Sequence, residues 1–163
     1  MPRFSAMKTA ESTRTSPPLK SRNSPKIKDK TIITISININ DKIESFELNT
    51  DQGKFYSKDY ASKNLVLFFF PKADTTGCTK EAISFSNLIN EFGDLNTIVI
   101  GISKDTVEKQ IKFKSKYDLK CILGSDVDIN ICSKFGVWVE KSMYGKKYMG
   151  IQRSTLSLIH ISE

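Results

Sequence analysis

The chain has 163 residues, 39% of them hydrophobic and 26% charged, with a formal net charge of +7. That length holds one domain with its own core. No apolar run approaches the roughly 20 residues of a membrane span, and the N-terminus has no apolar stretch of the secretory kind.

Residues 1–28 carry seven Lys/Arg against a single acid, Glu11, so nearly all of the positive charge belongs to this segment. It is rich in Ser, Thr and Pro and poor in large apolar side chains. Such a segment cannot bury enough surface to offset its ordering entropy, so a disordered basic extension is expected. A transit peptide or a nuclear or nucleic-acid-binding arm would share this composition. It has neither a clear amphipathic stripe nor interleaved aromatic residues, and nothing in it favours nucleic acid. The cytoplasm is the expected compartment, with an organelle or the nucleus the alternative if this segment is a targeting signal.

Residues 29–155 read as one α/β domain. Thr31–Ile39 alternates, with Ile33, Ile35, Ile37 and Ile39 on one side, as a half-buried strand does. Phe46–Leu48 is a second short strand, followed by a turn over Asp51–Lys54. Leu65–Phe70 is an unbroken apolar run and reads as a buried strand. A helix should follow from Cys78 to about Phe92, its apolar face made by Ala82, Phe85, Leu88, Ile89 and Phe92, and Gly93-Asp94 should end it. Thr97–Ile102 is a further buried strand. Asp105 with Glu108 has the spacing of a capping box for a helix to about Tyr117. Cys121–Leu123 is a short strand, Asp128–Phe135 a short helix, and Arg153 opens the last strand. Strands alternating with helices predict a sheet covered by helices.

The chemistry concentrates in Pro71-Lys72-Ala73-Asp74-Thr75-Thr76-Gly77-Cys78-Thr79-Lys80-Glu81. Here a buried strand leads into a loop and then a helix, with one cysteine in the first helical turn. Unpaired N–H groups and the positive end of the helix dipole favour an ionised sulfur there. An ordinary thiol has a pKa of about 8.5, so this placement makes a reactive thiolate.

Pro-x-x-x-Thr-x-x-Cys, spanning Pro71, Thr75 and Cys78, resembles the active-site signature of the peroxiredoxins. Pro-Lys-x-Asp-Thr-x-Gly-Cys-Thr-Lys-Glu-Ala resembles the Q-type branch, also called bacterioferritin comigratory proteins. Phe135-Gly136-Val137-Trp138, and the stretch from Met143 to Ile151 with Arg153-Ser154-Thr155, look like the same branch. The resemblance covers roughly residues 40 to 155. It implies a thioredoxin-like α/β fold with an N-terminal β-hairpin, and a thiol-dependent peroxidase that needs no cofactor and no metal. The substrate would be hydrogen peroxide or an organic hydroperoxide, the reductant thioredoxin or another small thiol, and the protein a monomer.

The same resemblance assigns roles. Cys78 would attack the peroxide and become a sulfenic acid. The Thr75 hydroxyl would bond the thiolate and the incoming peroxide, and Pro71 would shield the sulfur from water. Arg153 would hold the thiolate and polarise the peroxide, and Glu81 would orient Arg153. The branch often places a second, resolving cysteine five residues on, but that position here is Ile83. The alternative place, near Phe113-Lys114-Ser115-Lys116, has none either. Cys121 and Cys132 read as core residues, which leaves a one-cysteine cycle completed by an external thiol. Resolution by Cys121 or Cys132 after local unfolding is the alternative. A peroxide sensor or thiol oxidoreductase passing oxidation to partner proteins is the second functional reading, although a thioredoxin-type exchanger would need Cys-x-x-Cys.

The end of the chain reads differently. In the resembled branch the Arg153 strand continues into another strand and a C-terminal helix. Here Leu156-Ser157-Leu158-Ile159-His160-Ile161-Ser162-Glu163 closes the sequence. The octapeptide can be back-translated as CTG TCT CTT ATA CAC ATC TCC GAG, which resembles the end of a transposase-based sequencing adapter. Residues 156–163 are therefore expected to be a non-native tail. The domain would then lack its final strand and helix and expose a sheet edge prone to aggregation. His160, the one histidine, lies in this octapeptide, so neither a Cys-His hydrolase nor a histidine metal site has support.

Overall fold

The computed structural model describes residues 4–9 and 37–160. Its strands are β1 (Phe4–Thr9), β2 (Lys42–Ile43), β3 (Glu47–Thr50), β4 (Gly53–Tyr56), β5 (Asn64–Phe69), β6 (Thr97–Ser103), β7 (Ile122–Ser125), β8 (Trp138–Met143), β9 (Lys146–Ile151) and β10 (Ser154–His160). The helices are α1 (Thr76–Asn87), α2 (Ile89–Asp94), α3 (Val107–Tyr117) and α4 (Asn130–Lys134), with a 3₁₀ turn over Ser57–Tyr60. Eight strands form one sheet in the order β2-β1-β10-β5-β6-β7-β3-β4. β5, β6 and β7 run parallel, while β10 and β3 flank them antiparallel. This is the expected α/β architecture, with β8 and β9 as a separate hairpin.

The unbroken apolar run of β5 follows from cover on both faces of the sheet. Leu65, Leu67 and Phe69 pack with Ile100, Ile102, Phe135, Leu156 and Leu158 on one face. Val66, Phe68 and Phe70 pack on the other with Ala82, Phe113, Leu119, Cys121 and Cys78. Burying a Leu or Phe side chain of this kind contributes about 1.5–3 kcal/mol relative to leaving it in water. Cys78 therefore belongs to the core layer over β5 and not to an exposed loop. Gly101, the register partner of Phe68 across the parallel ladder, leaves room for that ring: a Cβ there would lie 2.4 Å from Phe68 Cζ.

Several elements depart from the sequence-based expectation. Of the strand expected over Thr31–Ile39, residues 31–36 lie outside the described residues. Ile39 sits in a turn and is exposed, because the Asp41 carboxylate accepts the Asn38 N–H at 2.6 Å and closes the chain there. The single helix expected from Cys78 to Phe92 is two helices. At Leu88 the backbone N–H donates to the Phe85 carbonyl, a tight i→i−3 bond, which turns Leu88 outward. Asp105 does not cap α3. Thr106 holds that position, and Asp105 is buried instead. The β8–β9 hairpin was hidden because its strands show no buried alternation. Its turn places Tyr144 and Gly145 both at positive φ, 52° and 75°, the backbone of a type I′ turn.

The two ends of the described chain meet. β10 pairs with β5 on one side and with β1 on the other. The expected bare edge beside β10 is thus occupied by Phe4–Thr9, and an extension without structure over 1–28 is departed from at those six residues. The rest of that segment lies outside the described residues. Residues 156–160, part of the octapeptide expected to be non-native, continue β10 opposite Leu67 and Leu65, with Leu156 and Leu158 buried. Residues 161–163 lie outside the described residues.

Candidate active site

β5 delivers the chain to the site. The Phe70 N–H makes the last ladder bond, to the Ile102 carbonyl at 3.0 Å. Pro71, half-buried, has no N–H to continue the ladder, and the backbone turns away as a loop. Thr75 is the N-cap of α1, with extended backbone, and its carbonyl accepts the Thr79 N–H at 2.8 Å. Cys78 is the third residue of the helix. The first helical amides have no partner within the helix and face the loop side.

Cys78 and Glu81 are three residues apart, which puts sulfur and carboxylate on one helix face. The fork of Arg153 spans both. Its Nη2 donates to Cys78 Sγ at 3.1 Å, and its Nη1 donates to Glu81 Oε2. The arginine arrives by sheet register: Ser154 pairs with Phe69, so the preceding residue sits level with the loop that leaves β5. Burial opposes its charge, but the sulfur of Cys78 and the carboxylate of Glu81 outweigh that and hold the guanidinium above its ordinary pKa. Gly77 lies against the guanidinium, and a Cβ there would meet Nη2 at contact distance, 3.4 Å. Gly77, Glu81, Ser84, Phe85, Leu88 and Arg153 line a groove of about 490 Å³ beside the pair.

Of the predicted residues, Cys78, Glu81 and Arg153 are in direct contact, while Pro71 and Thr75 lie in the loop that leads to them, with one correction of detail. The Thr75 hydroxyl donates to the Lys72 carbonyl at 3.1 Å and not to the sulfur; a loop carbonyl three residues back is the nearer acceptor for a hydroxyl at a helix start. The loop is also held by groups that sequence reasoning passed over. The Ala73 N–H donates to Asp105 Oδ2 at 2.7 Å. Asp74, at φ 60°, accepts from Lys116 Nζ and from Tyr117 Oη at 2.5 Å. The one available signal was the spacing of Asp105 to Glu108, which read as a capping box.

The other cysteines are not brought to the site. All three are free thiols. Cys121 lies in the same core layer as Cys78 but is fully buried, with the Ser86 hydroxyl donating to its sulfur at 3.6 Å. Burial pushes its pKa up. Cys132 packs on the opposite face of the sheet, and burial together with the Asp126 carboxylate pushes its thiol up further. Both thiols thus stay protonated and poorly nucleophilic at neutral pH. Among the described residues no three His, Cys, Asp or Glu side chains are grouped to hold a metal ion, and no helix is long and apolar enough to cross a membrane.

The sequence model of the AhpC/TSA family matches residues 39–158. Over 122 residues the chain is 41% identical to peroxiredoxin Bcp of Bacillus subtilis, an alignment covering 74% of this chain and 78% of that protein. Among solved structures, a bacterioferritin comigratory protein of Xanthomonas campestris, described for its alkyl peroxide reduction activity, superposes with a TM-score of 0.64. It is 36% identical, and the match covers 68% of this chain and 72% of that one. The BcpB peroxidoxin of Mycobacterium tuberculosis superposes with a TM-score of 0.61 at 37% identity, over 71% and 74% of the two chains.

Proposed function

The chain belongs to the AhpC/TSA family, within its Q-type or bacterioferritin comigratory peroxiredoxins, and from that premise we propose how its own residues carry the reaction. Members of this branch are thiol-dependent peroxidases on a thioredoxin-like fold, and this chain is one of them. Its substrate is a peroxide and its reductant a thiol.

Cys78 is the nucleophile. Its thiolate attacks the terminal oxygen of the peroxide. An S–O bond forms as the O–O bond breaks, leaving a sulfenic acid on Cys78. The departing oxygen carries the electron pair and takes a proton from solvent, leaving as water or an alcohol. Arg153 holds the sulfur in place and stabilises the charge that grows on the departing oxygen. Glu81 fixes the plane of the guanidinium by a charge-assisted bond. Pro71 closes the dry side of the sulfur, and Thr75 sets the turn that presents it. An external thiol then attacks the sulfenic sulfur, forming a mixed disulfide and water, and a second thiol releases the reduced enzyme. A thioredoxin-class dithiol supplies both thiols in one molecule. The partly apolar wall of the groove beside Arg153, which includes Phe85 and Leu88, supports an organic hydroperoxide as a substrate. Three unpaired cysteines suit a reducing compartment, and the cytoplasm is the one proposed.

The observation that carries this reading is the 3.1 Å contact between Arg153 Nη2 and Cys78 Sγ at the start of α1. Intact mass with peptide mapping, after one equivalent of hydrogen peroxide, tests it against Cys78→Ser. A single added oxygen on Cys78 is expected in the parent and none in the variant. A disulfide from Cys78 to Cys121 or Cys132 would overturn the one-cysteine cycle, and absence of oxidation would overturn the role of Cys78.

A further inference from the structure

We propose that Asp105 is a positioning residue for peroxide reduction, acting through the backbone of the active-site loop; the proposal rests on Cys78 being the peroxidatic residue. Asp105 lies in the turn between β6 and α3, 32 residues from the loop it holds, and is 8% exposed. Its Oδ2 accepts the Ala73 N–H at 2.7 Å. Ala73 sits midway between Pro71 and Thr75, the residue that caps the helix carrying Cys78.

The carboxylate is itself locked. Oδ2 also accepts the Ser103 hydroxyl at 2.9 Å, and Ser103 Oγ accepts the Asp105 N–H at 3.2 Å. Gln110 Nε2 donates to Ser103 Oγ at 2.9 Å and to the Gly124 carbonyl at 2.8 Å. The Ser125 hydroxyl donates to the Asp105 carbonyl at 2.7 Å. Lys109 Nζ approaches Oδ1 at 3.9 Å from the solvent side. These groups come from β6, α3 and β7, so the sheet itself fixes where the loop amide must lie.

A buried oxygen that accepts two hydrogen bonds is stiff because leaving those partners unmet costs more than in water. The second clamp on the loop, Asp74 with Lys116 and Tyr117, is solvent-exposed and yields more easily. Loop position matters to the reaction with peroxide because the peroxide must be aligned with the sulfur. A displacement of about 1 Å at such a site costs on the order of 100-fold in rate. Attack on a small alkylating agent makes no such demand.

The test compares two second-order rate constants of Cys78, with hydrogen peroxide and with iodoacetamide, in the full chain. Asp105→Ala is expected to lower the peroxide constant about 10- to 100-fold and the iodoacetamide constant by less than about 3-fold. Asp105→Asn keeps an oxygen for the Ala73 N–H and recovers most of the peroxide rate. Ser125→Ala removes a hydroxyl from the same network without touching the loop, and it keeps the ratio of the two constants. If Asp105→Ala does not fold, Asp105→Glu, which displaces the acceptor by a methylene, is expected to show the same selective loss. Equal losses in both constants, an unchanged peroxide constant, or a Ser125→Ala ratio that falls as far would each overturn the proposal. A parent protein whose Cys78 is alkylated but never oxidised would overturn the peroxidatic assignment, and this proposal with it.

Discussion

Arg153 and Cys78 stand 75 residues apart in the chain and 3.1 Å apart in space. The first residues of β10, paired with the end of β5, bring them together, so the contact depends on strand register. A slip of one residue in that ladder would turn the arginine to the other face of the sheet. Arg153→Met is expected to reduce the rate of peroxide reduction about 100- to 1,000-fold, the range typical of losing one group that stabilises developing charge. Arg153→Lys recovers only part of this, because an ammonium cannot span Cys78 and Glu81 as the planar fork does. Stopped-flow oxidation of Cys78 measures it; a methionine variant as fast as the parent would remove Arg153 from the mechanism.

Cys121 and Cys132 should be dispensable for turnover. The double variant Cys121→Ala/Cys132→Ala is expected to keep the parent rate with a small-thiol reductant, and a loss of turnover would point to resolution by one of them. The same pair gives a pH signature. Both folded-state thiols titrate above their ordinary value, so their contribution to stability is complete below about pH 8.5. It is lost as pH rises further toward their folded-state values. Thermal melts should therefore fall more steeply above pH 9 in the parent than in the double variant.

Asp74 gives the opposite sign. The hydrogen bond from Lys116, then that from Tyr117, holds its carboxyl below the ordinary 3.8. The clamp is complete above that pH and is lost as pH falls through the lowered folded-state value. Asp74→Asn should show less acid sensitivity below about pH 4 than the parent, while melts near neutrality change little because the pair is exposed. Equal acid profiles for the two proteins would remove the ion pair as a stabiliser of the loop.

Gly101 tests the layer that carries Cys78. An alanine Cβ would lie 2.4 Å from Phe68 Cζ. That ring is stacked on Phe85 at 4.5 Å and on Phe70 at 5.7 Å between centroids, so it has little freedom to retreat. Gly101→Ala is expected to cost about 1–3 kcal/mol by overpacking, seen as a lower urea midpoint. A variant as stable as the parent would mean that the aromatic stack can shift as a unit.

What the sequence revealed divides along physical lines. The buried strands β5 and β6 were legible because cover on both faces leaves unbroken apolar runs. The site was legible because Pro71, Thr75, Cys78 and Glu81 lie within one strand–loop–helix unit and Arg153 lies in a motif of its own. The β8–β9 hairpin was not legible, because Met143, Tyr144, Tyr148 and Met149 are exposed and the strands show no buried alternation. Asp105 read as a cap because its spacing to Glu108 is local, whereas its partner Ala73 is 32 residues away. The break at Leu88 is equally invisible in a pattern whose 3.6-residue period runs through it.

The pairing of β1 with β10 was the least foreseeable feature, since Phe4–Thr9 lie in a stretch whose composition speaks against order. All six residues of β1 pair in register, from Phe4 opposite His160 to Thr9 opposite Thr155. Without them, β10 would present a row of unpaired N–H and C=O groups beside the strand that follows Arg153. Deleting residues 1–9 is expected to lower the melting temperature and to promote association between chains along that edge. Because Arg153 precedes the same strand, the deletion should also slow oxidation of Cys78. Light scattering during a thermal melt, with the oxidation rate measured in parallel, decides it. A shortened chain that melts, scatters and reacts like the parent would show that β1 contributes neither cover nor support to β10.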